Sequence, residues 1–125
     1  KVFLMIGVND LSKGRSVDDI LSTYRLILDR IRLETPSTIV YVESVLPVNP
    51  ATGQYKNHTN KTDLIIELNK GLKILAAEYG YMYIDLFSLM ADKNNHLPRK
   101  YSVDGLHLTY AAYKIWVDAI RQYVR

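Results

Sequence analysis

Asp104 and His107 stand three residues apart in the stretch VDGLHLTYAAY (103–113), with Gly105 between them and a helix-like pattern behind. A histidine acting as general base needs its second ring nitrogen held by an acceptor, which fixes the tautomer and stabilises the imidazolium. A carboxylate three residues earlier, across a turn that Gly105 permits, can reach that nitrogen. The bland alternative is a turn aspartate and a partly exposed histidine beside a helix cap. Asn9, in GVND (7–10), is the second candidate. A neutral amide donates N–H to a developing oxyanion without adding a charge that must be desolvated. Its alternative is an Asx turn leaving a strand. Asp10 reads as a structural residue that orders the loop by accepting backbone N–H bonds.

The remaining chemistry-bearing residues are weaker candidates. Ser12, Ser16, Ser22, Ser37, Ser44, Ser88 and Ser102 are the serines of the chain. None sits at a strand-to-helix elbow with a following glycine, so no nucleophile is nominated among them. His58 and His96 lie in polar stretches and read as surface residues. Tyr55 reads as an exposed loop residue with the option of lining a cleft. No His/Asp/Glu spacing offers three or four converging zinc ligands, so no metal is expected. The glycines of a phosphate-binding loop are missing from GVND, and no cofactor is expected. NHT (57–59) and NKT (60–62) match the N-glycosylation pattern and are read as chance matches in an Asn/Thr-rich loop.

The elements that must position these residues follow from hydrophobic patterning. Val2–Ile6, closed by Gly7, is a continuous apolar run that predicts a strand covered on both faces. Ser16 is placed to cap a helix whose first turn holds Asp18 and Asp19, with Ile20, Tyr24, Ile27, Leu28 and Ile31 on one stripe. Thr38–Leu46 predicts a second strand and residues 47–60 a long surface loop. A second helix runs from about Asn60 to Glu78, with Leu64, Ile65, Leu68, Leu72, Leu75 and Tyr79 inward and Gly80 at its end. Tyr81–Phe87 predicts a third strand. An irregular stretch follows, with one helical turn at Ser88–Asp92. Thr109 then caps a last helix carrying Ala112, Tyr113, Trp116, Val117 and Ile120 inward. Alternation of this kind predicts an α/β fold with parallel strands, right-handed crossovers and helices on both faces. In such sheets the chemistry gathers at the carboxyl ends of the strands, where GVND and Asp104–His107 both fall.

Composition narrows the function classes. The chain has 125 residues, 48% hydrophobic and 23% charged, which suits a single globular domain. A net charge of +3, spread without a dense basic run, does not provide the concentrated stripe that tracks phosphates, so no nucleic-acid partner is expected. No apolar run approaches the ~20 residues of a membrane helix. Without cysteine there is no disulfide framework, and the compartment stays open.

Taken together, GVND at 7–10 and DGLHLT at 104–109 with its closing helix resemble the SGNH (GDSL-type) hydrolase family, whose blocks include G-x-N-D after one strand and D-x-x-H near the carboxyl terminus. The resemblance covers nearly the whole chain. It implies a three-layer α/β/α, flavodoxin-like parallel sheet and a serine ester hydrolase needing no cofactor. It implies further that His107 is the general base, Asp104 its orienting partner and Asn9 an oxyanion-hole donor, with Gly7 and Asp10 as motif residues. Substrates implied range over simple esters, lysophospholipids and acetylated sugars; with no long apolar flap in the sequence for a lipid chain, small acyl groups such as acetyl on carbohydrates are favoured. The family's nucleophile block and second, glycine-bearing block both precede G-x-N-D. Only six residues precede Gly7 here, so residues 1–125 are expected to form the carboxyl-terminal part of one such domain, with its amino-terminal strands missing. Ala112 stands where many relatives carry Gly. Two expectations follow: this piece alone is inactive, and the exposed edge at Val2–Ile6 leaves it either associated with another chain or poorly soluble. The competing reading is a non-catalytic α/β ligand-binding module of flavodoxin-like architecture.

Overall fold

A computed structural model describes all residues 1–125. Strands β1 (Val2–Leu4), β2 (Val40–Glu43) and β3 (Met82–Ile84) form one sheet in the order β1-β2-β3, and both pairings are parallel. The helices are α1 (Val8–Ser12), α2 (Val17–Glu34), α3 (Lys56–Thr59), α4 (Thr62–Tyr79), α5 (Leu86–Met90) and α6 (Tyr110–Val124), with a single 3₁₀ turn at Pro50–Thr52.

Strand alternation sorts the side chains into two cores. Leu4, Val40 and Val42 face α2 and α4 and pack among Ile20, Tyr24, Leu28, Ile65, Leu68 and Leu72. Phe3, Tyr41 and Ile84 face the other way, toward Trp116, Ala119, Ile120 and Tyr123 of α6. Helices therefore cover both faces, as the apolar strands require, and the predicted three-layer α/β/α arrangement is present. Phe3 and Tyr41, paired in register, stack at 4.7 Å.

All three strands are shorter than predicted, and for two of them the reason is a polar side chain. Beyond Glu43, the backbone N–H and C=O of Val45 are taken by the buried carboxamide of Asn69 at 2.8 and 2.9 Å, so the β2 ladder gives way to a side chain. Asp85, expected inside the third strand, instead caps α5 by accepting from Ser88 N at 3.1 Å. That helix begins earlier than Ser88–Asp92. The predicted loop 47–60 contains the 3₁₀ turn and α3.

Helix phases also needed adjustment. Ser16 caps α2 as expected, its Oγ accepting from Asp19 N at 3.1 Å. Thr109 occupies the N-cap of α6 but makes no capping bond; its hydroxyl donates to Lys100 O at 2.8 Å. Tyr113 and Val117, expected inward, are about half exposed, because the buried face of α6 runs through Ala112, Ile115, Trp116, Ala119 and Ile120. Tyr113 lies flat on the outer side of Trp116, with rings 5.9 Å apart. Leu64 is exposed for the same reason of phase, and Asn69 takes a buried place on α4. No helix is long and apolar enough to cross a membrane.

Candidate active site

Gly7 turns the chain from β1 into α1. Its φ of 134° is disfavoured for residues with a side chain, and a Cβ there would stand 2.9 Å from Leu68 Cδ2. Asn9 consequently lies in the first turn of a short helix at the carboxyl end of β1, not in the Asx turn that was the alternative. Asp10 likewise departs from expectation: its Oδ1 accepts Arg15 Nη1 at 3.0 Å, so a guanidinium takes the place of backbone donors. Arg15 in turn donates to Thr23 Oγ1 of α2 at 2.9 Å, which ties the α1 turn to that helix.

The second half of the site is a loop knotted around one carboxylate. Asp104 Oδ1 accepts the backbone N–H of Leu106 at 2.9 Å and of His107 at 2.8 Å. Asp104 Oδ2 faces His107 Nδ1 at 2.8 Å. Burial acts to raise the Asp104 pKa, but the two backbone donors and the His107 ring outweigh it and hold the carboxyl down at about 2. The aspartate side chain is 22% exposed and that of His107 64%. The imidazole is thus tethered through Nδ1 and largely exposed, and its Nε2 makes no hydrogen bond within the chain.

That loop is sewn to the one after β2. Asn49 N donates to Gly105 O at 2.9 Å, and Thr52 Oγ1 donates to Asp104 O at 2.7 Å. Asn49 Nδ2 reaches Leu97 O at 3.0 Å. Gly105, at φ 86°, sits so close that a Cβ would come within 2.3 Å of Asn49 O.

Two further residues belong here: His58, expected on the surface, and Tyr55, expected exposed with the option of lining a cleft and 48% exposed in the structure. His58 is half-buried, with Nε2 3.1 Å from Asn9 Oδ1. The Tyr55 ring meets the rings of His107 and His58 edge-on, at 5.1 and 6.3 Å. Asn9, His58, Tyr55, His107 and Asp104 therefore form one contiguous cluster at the carboxyl edge of the sheet. The signal available for the two additions was weak: a long loop leaving the carboxyl end of a strand is where sites gather. His96 is apart from the cluster, its backbone N–H held by Asp92 Oδ1 at 3.0 Å.

Several serines are engaged in local bonds, and Ser102 Oγ donates to Asp104 Oδ1 at 3.3 Å. Ser44 is buried and accepts Phe87 N at 2.8 Å, and Ser102 is buried and accepts Gly105 N at 2.9 Å. Ser12 donates to the Asn9 carbonyl at 2.7 Å, and Ser88 to Asp85 at 2.6 Å. None bonds to the His107 ring. No group of three or more acidic or histidine side chains is arranged to hold a metal ion.

Fold and cluster define a parallel α/β/α protein with an Asp–His pair and a carboxamide gathered at the carboxyl edge of its sheet. The chain belongs to the GDSL-like lipase/acylhydrolase family, whose pattern it matches over residues 1–115. Among solved structures it is similar to a Streptococcus pneumonia protein described as a platelet activating factor, at 28% identity and a TM-score of 0.89, over 98% of this chain and 58% of that one. A GDSL-like lipase from Bacteroides thetaiotaomicron superposes with a TM-score of 0.83 at 20% identity, over 98% and 60% of the two chains. A proposed arylesterase from Agrobacterium tumefaciens gives 0.74 at 21%, over 100% and 60%. The last two likenesses show the fold alone. The chain spans about three-fifths of the length of these structures. No curated protein matches it.

Proposed function

We propose that residues 1–125 are the carboxyl-terminal part of a single serine ester hydrolase domain whose nucleophile lies outside them. The observation that carries this reading is the Asp104–His107 pair: Oδ2 to Nδ1 at 2.8 Å, in a His107 side chain that is 64% exposed and makes no hydrogen bond through Nε2. In the proposed reaction the serine Oγ attacks the ester carbonyl carbon as His107 Nε2 takes its proton. Asp104 holds the ring and stabilises the imidazolium without itself becoming protonated. Asn9 Nδ2–H donates to the carbonyl oxygen as it becomes an oxyanion, a role worth about 10²–10³ in turnover. Collapse expels the alcohol, which takes the proton from His107. Water then attacks the acyl-serine, giving its proton to His107, and the acid leaves as serine is re-formed.

For the substrate, short acyl groups on a polar alcohol, such as an acetylated carbohydrate, fit the surroundings better than a long lipid chain. Met5, Val8, Leu46 and Leu106 help to line an apolar hollow of only about 130 Å³ beside Gly7. Beside His58, the bonding partner of Asn9, the residues Ser12, Tyr55, Lys56 and Asn57 line a second, more polar hollow of about 300 Å³. The test is p-nitrophenyl acetate turnover by a polypeptide joining these residues to a nucleophile-bearing segment. Turnover abolished by His107→Ala is expected there, and none in residues 1–125 alone. Absence of turnover in the joined polypeptide would favour the ligand-binding module instead. Turnover by the 125 residues alone, lost in His107→Ala, would place the nucleophile within them.

A further inference from the structure

A carboxamide is a treacherous oxyanion donor, because its two ends have nearly the same shape and opposite polarity. Rotated by 180° about its last torsion, Asn9 would turn a lone pair toward the developing negative charge. Something must decide which end faces the substrate. His58 is the one residue whose side chain bonds the side chain of Asn9, at 3.1 Å from Nε2 to Oδ1. Ser12 Oγ and Lys13 N take only the backbone carbonyl of Asn9.

We propose that His58 is a positioning residue which, as the Nε2–H tautomer, holds Asn9 Oδ1 and so turns the Nδ2–H donors toward the oxyanion. This inference rests on the reading of Asn9 as an oxyanion donor. A histidine protonated on Nδ1 alone would present a lone pair at Nε2, accept from Asn9 Nδ2 and leave Oδ1 facing the charge. The choice of tautomer thus sets the sign of the contribution from Asn9.

The local backbone is organised to keep His58 in place. Tyr55 adopts a left-handed conformation (φ 47°, ψ 48°), which is costly for a bulky residue and calls for compensating contacts. Its carbonyl accepts both His58 N and Thr59 N at 2.8 Å. Thr59, fully buried, donates from Oγ1 to Gln54 O at 3.0 Å. These bonds lock α3 at the site with His58 toward α1, and the Tyr55 ring fills the space between His58 and His107.

The first test needs no turnover. In the joined polypeptide, ¹⁵N NMR of the His58 imidazole is expected to show a protonated Nε2 and an unprotonated Nδ1, with Nε2 shifting in an Asn9→Ala variant. A predominant Nδ1–H tautomer, or an Nε2 signal indifferent to Asn9→Ala, would overturn the proposal. The second test uses the same polypeptide. His58→Ala is expected to lower kcat about ten- to a hundred-fold, short of the ~10²–10³ of losing the donor itself, at unchanged KM. The loss should vanish in an Asn9→Ala background and be largely restored by His58→Gln, whose amide can donate to the same oxygen. Full loss in Asn9→Ala with an independent, additive loss in His58→Ala sinks the role of His58 alone. Wild-type kcat in Asn9→Ala, with activity abolished in His107→Ala, sinks the reading of Asn9 and this inference with it.

Discussion

The two oxygens of Asp104 have separate duties: Oδ1 takes the backbone N–H of Leu106 and His107, and Oδ2 takes the His107 ring at 2.8 Å. One carboxylate therefore both folds the loop and aims the imidazole that the loop presents. Asp104→Asn can supply an acceptor to one of these groups but not to both. In the joined polypeptide it should lower kcat by about 10⁴, since the wrong tautomer of His107 is then favoured.

Acid titration of the chain itself probes the same residue. The folded pKa of Asp104, about 2, lies below its unfolded value of about 3.9. Its ionised form therefore stabilises the fold above pH ~4, and that contribution fades as pH falls toward 2. The stability difference between wild type and Asp104→Asn should shrink as pH falls from about 4 to 2. Unfolding curves across that range decide it, and a difference that grows on acidification would contradict the assignment.

Glu43 carries the opposite sign. It is buried in the centre of the sheet, where burial raises its pKa while the Trp116 indole N–H, 2.9 Å from Oε1, opposes the rise. Its contribution to stability is greatest below its unfolded pKa of about 4.3 and is lost as pH rises through the folded value. Glu43→Gln keeps an acceptor for Trp116 and removes the charge. It should raise the melting temperature at neutral pH, with the gain disappearing below about pH 4.

Gly105→Ala tests the stitch between the two loops. The left-handed backbone alone costs about 1–3 kcal/mol with a side chain, and Asn49 O blocks the Cβ. A lower denaturant midpoint is expected, with loss of the His107–Asp104 proximity visible by NMR. A variant as stable as wild type would show that the loop has room to shift.

Asn69→Leu removes the amide that satisfies Val45 N and O in the core. Each orphaned group costs about 1–3 kcal/mol, so the variant should be destabilised by several kcal/mol although leucine restores volume. Equilibrium denaturation measures it.

The sheet order leaves β1 with a partner on one side only, and exposed Ile6 follows it. An unpaired apolar edge invites strand addition. The isolated chain is expected to self-associate or aggregate in light scattering, and a monodisperse monomer at micromolar concentration would count against this.

Several features were decided by the sequence alone. Apolar runs and 3.6-residue stripes determined which segments became strands and long helices, because burial of one face is a local demand that composition reveals. Asp104 and His107 were legible as a pair, since three residues and a glycine turn bring them together without help from the rest of the chain. Gly7 marked the turn that sets Asn9, but its helix was hidden in too few residues to show a period. Only tertiary structure decided the rest. The order of the strands, the replacement of the β2 ladder by Asn69, and the phase of α6 all depend on which neighbour competes for a surface or a hydrogen bond. His58 is the clearest case: 49 residues separate it from Asn9, and its bond to Asn9 forms only because a left-handed Tyr55 and a buried Thr59 turn α3 back onto α1. A bond across that distance follows from the packing of the whole fold, which no spacing in the sequence records.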